Sequence, residues 1–154
     1  MPLLTRLFTE DDFALYTSFF AVATIFAVAI GGKYHMAIVL PKSEKDAGKI
    51  FTLSIYLTIA YATAIALLLP FFHRFFPENL RNVLYYVPLY VLFFGIWNTY
   101  INVSIRHKTF ASNAIARVIQ AIGYILVAVS LGFSKILAFG LVIAKIAGTV
   151  VSWL

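Results

Sequence analysis

The chain has 154 residues, of which 62% are hydrophobic and only 12% charged, with a mean hydropathy of +0.93. Soluble domains are about 45–50% apolar and about 25% charged, and so few charges cannot cover this much apolar surface in water. Composition therefore excludes a soluble domain, and the absence of cysteine excludes disulfides, thiolate metal sites and cysteine nucleophiles.

Twelve Lys and Arg against six Asp and Glu give a net charge of +6. The cations sit in short loops and at the ends of apolar runs, where topology and anionic headgroups account for them. Membrane lipids are thus expected partners and nucleic acid is not.

Residues 2–12 end in the acidic run Glu10, Asp11, Asp12, and Thr9 before them suits a helix N-cap. The segment lacks the basic region, apolar core and cleavage site of a signal peptide, so insertion is expected to use the spans themselves. An uncharged stretch follows over 13–32, and its 20 residues at about 1.5 Å each match the roughly 30 Å of hydrocarbon. Gly31 and Gly32 can terminate or bend this first helix.

The stretch Lys33–Lys49 is the long polar interruption of the sequence and reads as a loop. Beyond it, spans are expected at 50–72, at 82–105 with a kink at Pro88, at 112–132 with Arg117 near its start, and at 135–154 with Lys145 in mid-span. The fold class is an all-α membrane protein of about five transmembrane helices in one integral-membrane domain. With Lys33–Lys49 inside, alternation places Lys33, Lys42, Lys45, Lys49, Arg106, Lys108 and Arg117 inside, against Arg6, Arg74, Arg81 and Lys135 outside. That bias makes the polar stretch cytoplasmic.

A few polar positions within or beside the spans can carry function. Lys33 and Tyr34 either hold an anionic substrate from an aqueous cavity or snorkel to the interface. Arg117, Gln120 and Tyr124, spaced i, i+3 and i+7, share one helix face. That stripe either lines a cavity, with Arg117 on phosphate and Gln120 on sugar hydroxyls, or bonds a neighbouring helix. Asn98 and Asn102 read as interhelical hydrogen bonders, and Lys145 shows no partner. There is no phosphate-binding glycine loop and no close metal-ligand pair, and His35, His73 and His107 stand singly. No metal, cofactor or enzymatic activity is expected.

The string KYHMAIVLPKSEKDA at Lys33–Ala47 resembles the loop between the second and third helices of Wzx-like polysaccharide flippases, of the multidrug/oligosaccharidyl-lipid/polysaccharide transporter superfamily. PLLTRLFTEDDF at Pro2–Phe13 is similar to the family's outer loop before helix two, and RHKTFASNAIARVIQ at Arg106–Gln120 to its passage from helix four into helix five. Where the family has Arg-Tyr-Glu, this chain has Lys33, Tyr34 and His35.

The resemblance implies part of the first of two six-helix bundles around a central cavity, with the chain an N-terminal fragment incomplete at both ends. It implies transport of a lipid-linked oligosaccharide, sugar on polyprenyl pyrophosphate, across a bacterial cytoplasmic membrane for surface polysaccharide such as lipopolysaccharide O-antigen. Lys33 and Arg117 would then face the cavity and bind phosphate. A polysaccharide polymerase or a glycosyltransferase is the protein partner expected. The alternative is a non-transporting scaffold subunit of a glycosyltransferase complex. A small multidrug exporter is disfavoured, because 13–32 contains no acid.

Overall fold

The computed structural model describes residues 9–133 and 137–151. The expectations placed on residues 2–8, on Lys135 and on 152–154 lie outside the described residues.

Helix α1 (Glu10–Val28) begins with a reciprocal cap. Thr9 Oγ1 accepts from the Asp12 backbone N–H at 3.3 Å, and the Asp12 carboxylate accepts from the Thr9 backbone N–H at 2.9 Å and its hydroxyl at 2.6 Å. The box satisfies donors left open at a helix start. Glu10, Asp11 and Asp12 complement the positive end of the helix dipole.

The first helix ends at Val28, short of the expected Gly32. The paired glycines Gly31 and Gly32 hold a helix poorly, and the backbone passes into 3₁₀ turns over Ile30–Val39. Gly32 and Lys33 within that segment take φ of +59° and +60°. Glycine accepts this geometry freely, whereas it strains lysine. Ile30 and Ile38 of this segment are buried.

Helix α2 (Glu44–Phe72) starts earlier than the apolar run, because Glu44 and Asp46 favour a helix N-terminus. Its 29 residues measure about 43 Å, more than the hydrocarbon thickness, so its charged first turns lie in the headgroup zone. A 3₁₀ turn at His73–Phe75 leads to α3 (Glu78–Leu84) and α4 (Val87–Arg106). The third span is divided at Tyr85 and Tyr86 rather than kinked. Pro88 falls in the first turn of α4, where its missing N–H is not needed. Helices α5 (Phe110–Phe133) and α6 (Leu137–Val151) complete the described chain.

Glu10–Val28, Glu44–Phe72, Leu80–Arg106 taken across its break at Tyr85 and Tyr86, and Phe110–Gly132 are long and apolar enough to cross a membrane, and Gly140–Val150 is a shorter apolar helix. The chain is an all-α, multi-pass membrane protein of about five helices.

Antiparallel packing of α2 on α4 forms the spine. Gly95 faces Thr58 and Ile30, Phe51 meets the Tyr100 ring edge-on with centroids 5.6 Å apart, and Arg106 reaches Glu44 at the inner end. Phe19 of α1 packs edge-on to Tyr90 of α4 at 6.2 Å, joining the buried cluster of Ala23, Ile65, Val87 and Val91. Helix α5 packs chiefly on α6, and its outer side presents Ile115, Val118, Ile122 and Leu126. Apolar side chains on that face suit lipid.

A cationic cavity between four helices

Arg117 lies two turns into α5 and Gln120 one turn further, so helical spacing turns both the same way. On that side is a cavity of about 320 Å³ between α1, α4, α5 and α6. Arg117, Gln120, Lys145 and Asn98 supply its polar wall, and Phe20, Thr24, Tyr90, Phe94 and Trp97 much of the rest. The cavity sits in the half of the bundle nearer the His107–Thr109 turn and the Ile30–Val39 segment. This is the half that the charge bias of the loops expects on the cytoplasmic side.

Lys145 is held by aromatic faces. Its Nζ lies 5.3 Å from the Phe20 ring centroid and 5.8 Å from that of Tyr124. Attraction to the ring quadrupoles, strong where water is scarce, steadies the ammonium without neutralising it. Among the described residues neither Arg117 nor Lys145 has a carboxylate partner, and no Asp or Glu lines the cavity. Arg117 is exposed and Lys145 half-buried, and two cations on one wall make a field that draws anions. Arg117 adds a planar fork suited to two phosphate oxygens, and Lys145 a compact point charge.

The wall is set by a close helix contact. A Cβ on Gly148 of α6 would stand 3.0 Å from the Gln120 carbonyl oxygen and 3.1 Å from the Tyr124 backbone nitrogen, so α5 and α6 touch backbone to backbone. Ala144 and Gly148 form a small-xxx-small pair of the kind that permits such approach. Gln120 Nε2 then donates to Thr149 Oγ1 at 3.2 Å. Gln120 therefore does both things its position allowed, lining the cavity and bonding the neighbouring helix.

Tyr124 does not line the cavity; it supports Lys145 from behind and stands beside Tyr16 of α1. Asn98 lines it, yet its Nδ2 donates to Phe94 O at 3.0 Å, and Asn102 Nδ2 to Asn98 O at 2.8 Å, both within α4 rather than between helices. Lys33 and Tyr34 are exposed on the Ile30–Val39 segment and are not brought to Arg117. Neither lines the cavity, and Lys33 sits at a left-handed backbone position. Lys145 takes the place of second cation. Its mid-span position was the sequence signal for it, but the ring contacts come from chain distant in sequence. His35 is half-buried, and burial, with Lys33 nearby, holds its pKa below the ordinary value. Among the described residues no group of three or more His, Cys, Asp or Glu could hold a metal ion.

A second cavity, of about 280 Å³ between α1, α2 and α3, is lined by apolar side chains such as Val22, Ile65, Leu69 and Leu84 and offers an anion nothing.

Fold and site together define a multi-pass helical membrane protein with a cationic cavity in its bundle. The sequence profile of the family described as "Polysaccharide biosynthesis protein" matches residues 3–154, and the chain belongs to that family. The family resemblance carried by the Lys33–Ala47, Pro2–Phe13 and Arg106–Gln120 strings is borne out. No curated protein and no solved structure gives a significant match.

Proposed function

We propose that this member of a polysaccharide biosynthesis family moves a lipid-linked oligosaccharide, sugar on polyprenyl pyrophosphate, from the inner to the outer leaflet of a bacterial cytoplasmic membrane. The observation that carries the reading is the convergence of Arg117 and Lys145, without any carboxylate, on a cavity inside a membrane bundle. A pyrophosphate cannot enter hydrocarbon unaided, since each unpaired charge in low dielectric costs many kcal/mol. A cavity with two cations replaces part of its hydration while the polyprenyl tail stays among lipids. In this reading the protein catalyses no bond change. Polymerase or glycosyltransferase partners would act before or after it, and it handles their shared lipid intermediate. Rocking of one bundle against another would give alternating access.

The test is Arg117→Ala and Lys145→Ala in the intact protein, read as surface polysaccharide and as lipid-linked oligosaccharide accumulating in the inner leaflet. Export should fall at least tenfold in each variant at normal protein level. Undiminished export in both would remove the transport reading and favour a non-transporting scaffold of a glycosyltransferase complex.

A further inference from the structure

A groove of about 410 Å³, lined by both polar and apolar side chains, adjoins the cationic cavity toward the His107–Thr109 turn. It lies between the end of α4 and the start of α5, and Trp97 and Ile101 line both spaces. Its other walls are Tyr100, Ser104, Ser112 and Asn113. None of these side chains carries charge at neutral pH, in contrast to the cavity beyond.

Ser54, Thr58 and Thr99 spend their hydroxyls on the carbonyl four residues back, at 2.8 to 2.9 Å, as hydroxyls in membrane helices commonly do. Among the described residues the Ser104 and Ser112 hydroxyls and the Asn113 carboxamide make no such bond. They keep donors and acceptors free beside two aromatic side chains. Neutral donor–acceptor groups next to aromatic faces match the two sides of a pyranose, its hydroxyl rim and its apolar C–H face. Among the described residues no ionised group, of the kind that serves phosphate, lines the groove.

We propose that this groove binds the sugar nearest the pyrophosphate, with Asn113, Ser104 and Ser112 bonding its hydroxyls and Trp97 and Tyr100 bounding its apolar face. The inference rests on the reading of the adjoining cavity as a pyrophosphate site. Asn113 and Arg117, four residues apart on α5, put sugar and phosphate recognition on one helix face, with the sugar site nearer the cytoplasm. That order matches a lipid whose tail lies in the inner leaflet and whose sugars project into water.

The experiment measures binding of two probes to the intact protein in lipid nanodiscs: sugar-free polyprenyl pyrophosphate, and the polyprenyl-pyrophosphate oligosaccharide extracted from the host. Asn113→Ala, and Ser104→Ala with Ser112→Ala, should raise Kd for the glycosylated lipid at least fivefold and leave the sugar-free lipid within twofold. Arg117→Ala should weaken both. If the groove variants bind the glycosylated lipid as the parent does, the sugar site is wrong while the pyrophosphate reading stands. Equal weakening of both probes would also overturn it, showing that the groove acts only through the fold. A parent that binds neither probe removes the pyrophosphate reading and the sugar site with it.

Discussion

Arg106 grips Glu44 across 62 residues of sequence, its Nε and Nη2 lying 3.1 and 3.0 Å from one carboxylate oxygen. The third nitrogen, Nη1, donates to the carbonyls of Pro41 at 2.6 Å and Ile38 at 3.2 Å. One side chain thereby ties the end of α4 to the start of α2 and to the segment between the first two spans. The partners differ in burial, with 11% of the Arg106 side chain exposed against 72% of Glu44. Exposed carboxylates contribute little, whereas bonds from a charged donor to sheltered carbonyls contribute about 1.5–3 kcal/mol each. Glu44→Gln should therefore cost about 1 kcal/mol or less, and Arg106→Ala at least about 2 kcal/mol. Thermal unfolding of both variants in detergent checks the order; equal losses would mean that the ion pair holds the segment.

Gly95 is the closest point of the α2–α4 spine. A methyl there would stand 2.5 Å from Thr58 Cγ2 and 3.0 Å from Ile30 Cγ2, in a region where Thr58 is itself buried. Gly95→Ala should destabilise by about 1–3 kcal/mol through overpacking. Thr58→Ser removes the obstructing methyl and keeps the hydroxyl that donates to Ser54 O at 2.8 Å. The double variant should recover most of the loss, and additive losses in that cycle would contradict the contact.

The apolar spans were legible because hydropathy is a local property, and the stripe of Arg117 and Gln120 was legible because helical spacing alone puts them on one face. The neighbour that Lys145 faces was not. Its place beside Phe20 and Tyr124 depends on how closely α6 approaches α1 and α5, which Gly148 decides through contacts distant in sequence. Lys33 was legible as a cation at a helix end, but not as one outside the cavity lining. Gly31 and Gly32 can bend a helix or stop it, and only packing chose the stop at Val28. Asn113 had a visible cue in its four-residue spacing from Arg117, which acquires meaning only beside Trp97 and Ser104 of α4.

His35 makes the Ile30–Val39 segment sensitive to acid. Its pKa is lowered first by burial and then by Lys33, so the folded state keeps the imidazole neutral. Its contribution to stability is complete above the ordinary value of about 6.5 and is lost as pH falls through the lower folded value. The melting temperature in detergent should drop as pH falls below about 6.5, and His35→Gln should flatten that slope. An unchanged slope in the variant would assign the acid response to other groups.

The contact between α5 and α6 separates two ways of holding the cavity wall, by the Gln120–Thr149 hydrogen bond or by backbone approach at Gly148. A hydrogen bond between membrane helices averages about 0.6 kcal/mol, because the separated helices find other partners. Thr149→Val, which also removes the bond that Thr149 Oγ1 donates to Lys145 O within α6 at 3.0 Å, should therefore cost about that much or slightly more. Gly148→Ala places a methyl 3.0 to 3.2 Å from backbone atoms of Gln120 and Tyr124, which cannot rotate aside as a side chain can. The helices must separate, with a cost of about 1–3 kcal/mol, and the Gln120 bond lengthens as a consequence. Gly148→Ala should thus lower both thermal stability and binding of polyprenyl pyrophosphate, while Thr149→Val leaves binding within about threefold, as a loss of that size implies. If Thr149→Val were the more damaging of the two, the hydrogen bond and not the close approach would position Arg117 and Lys145.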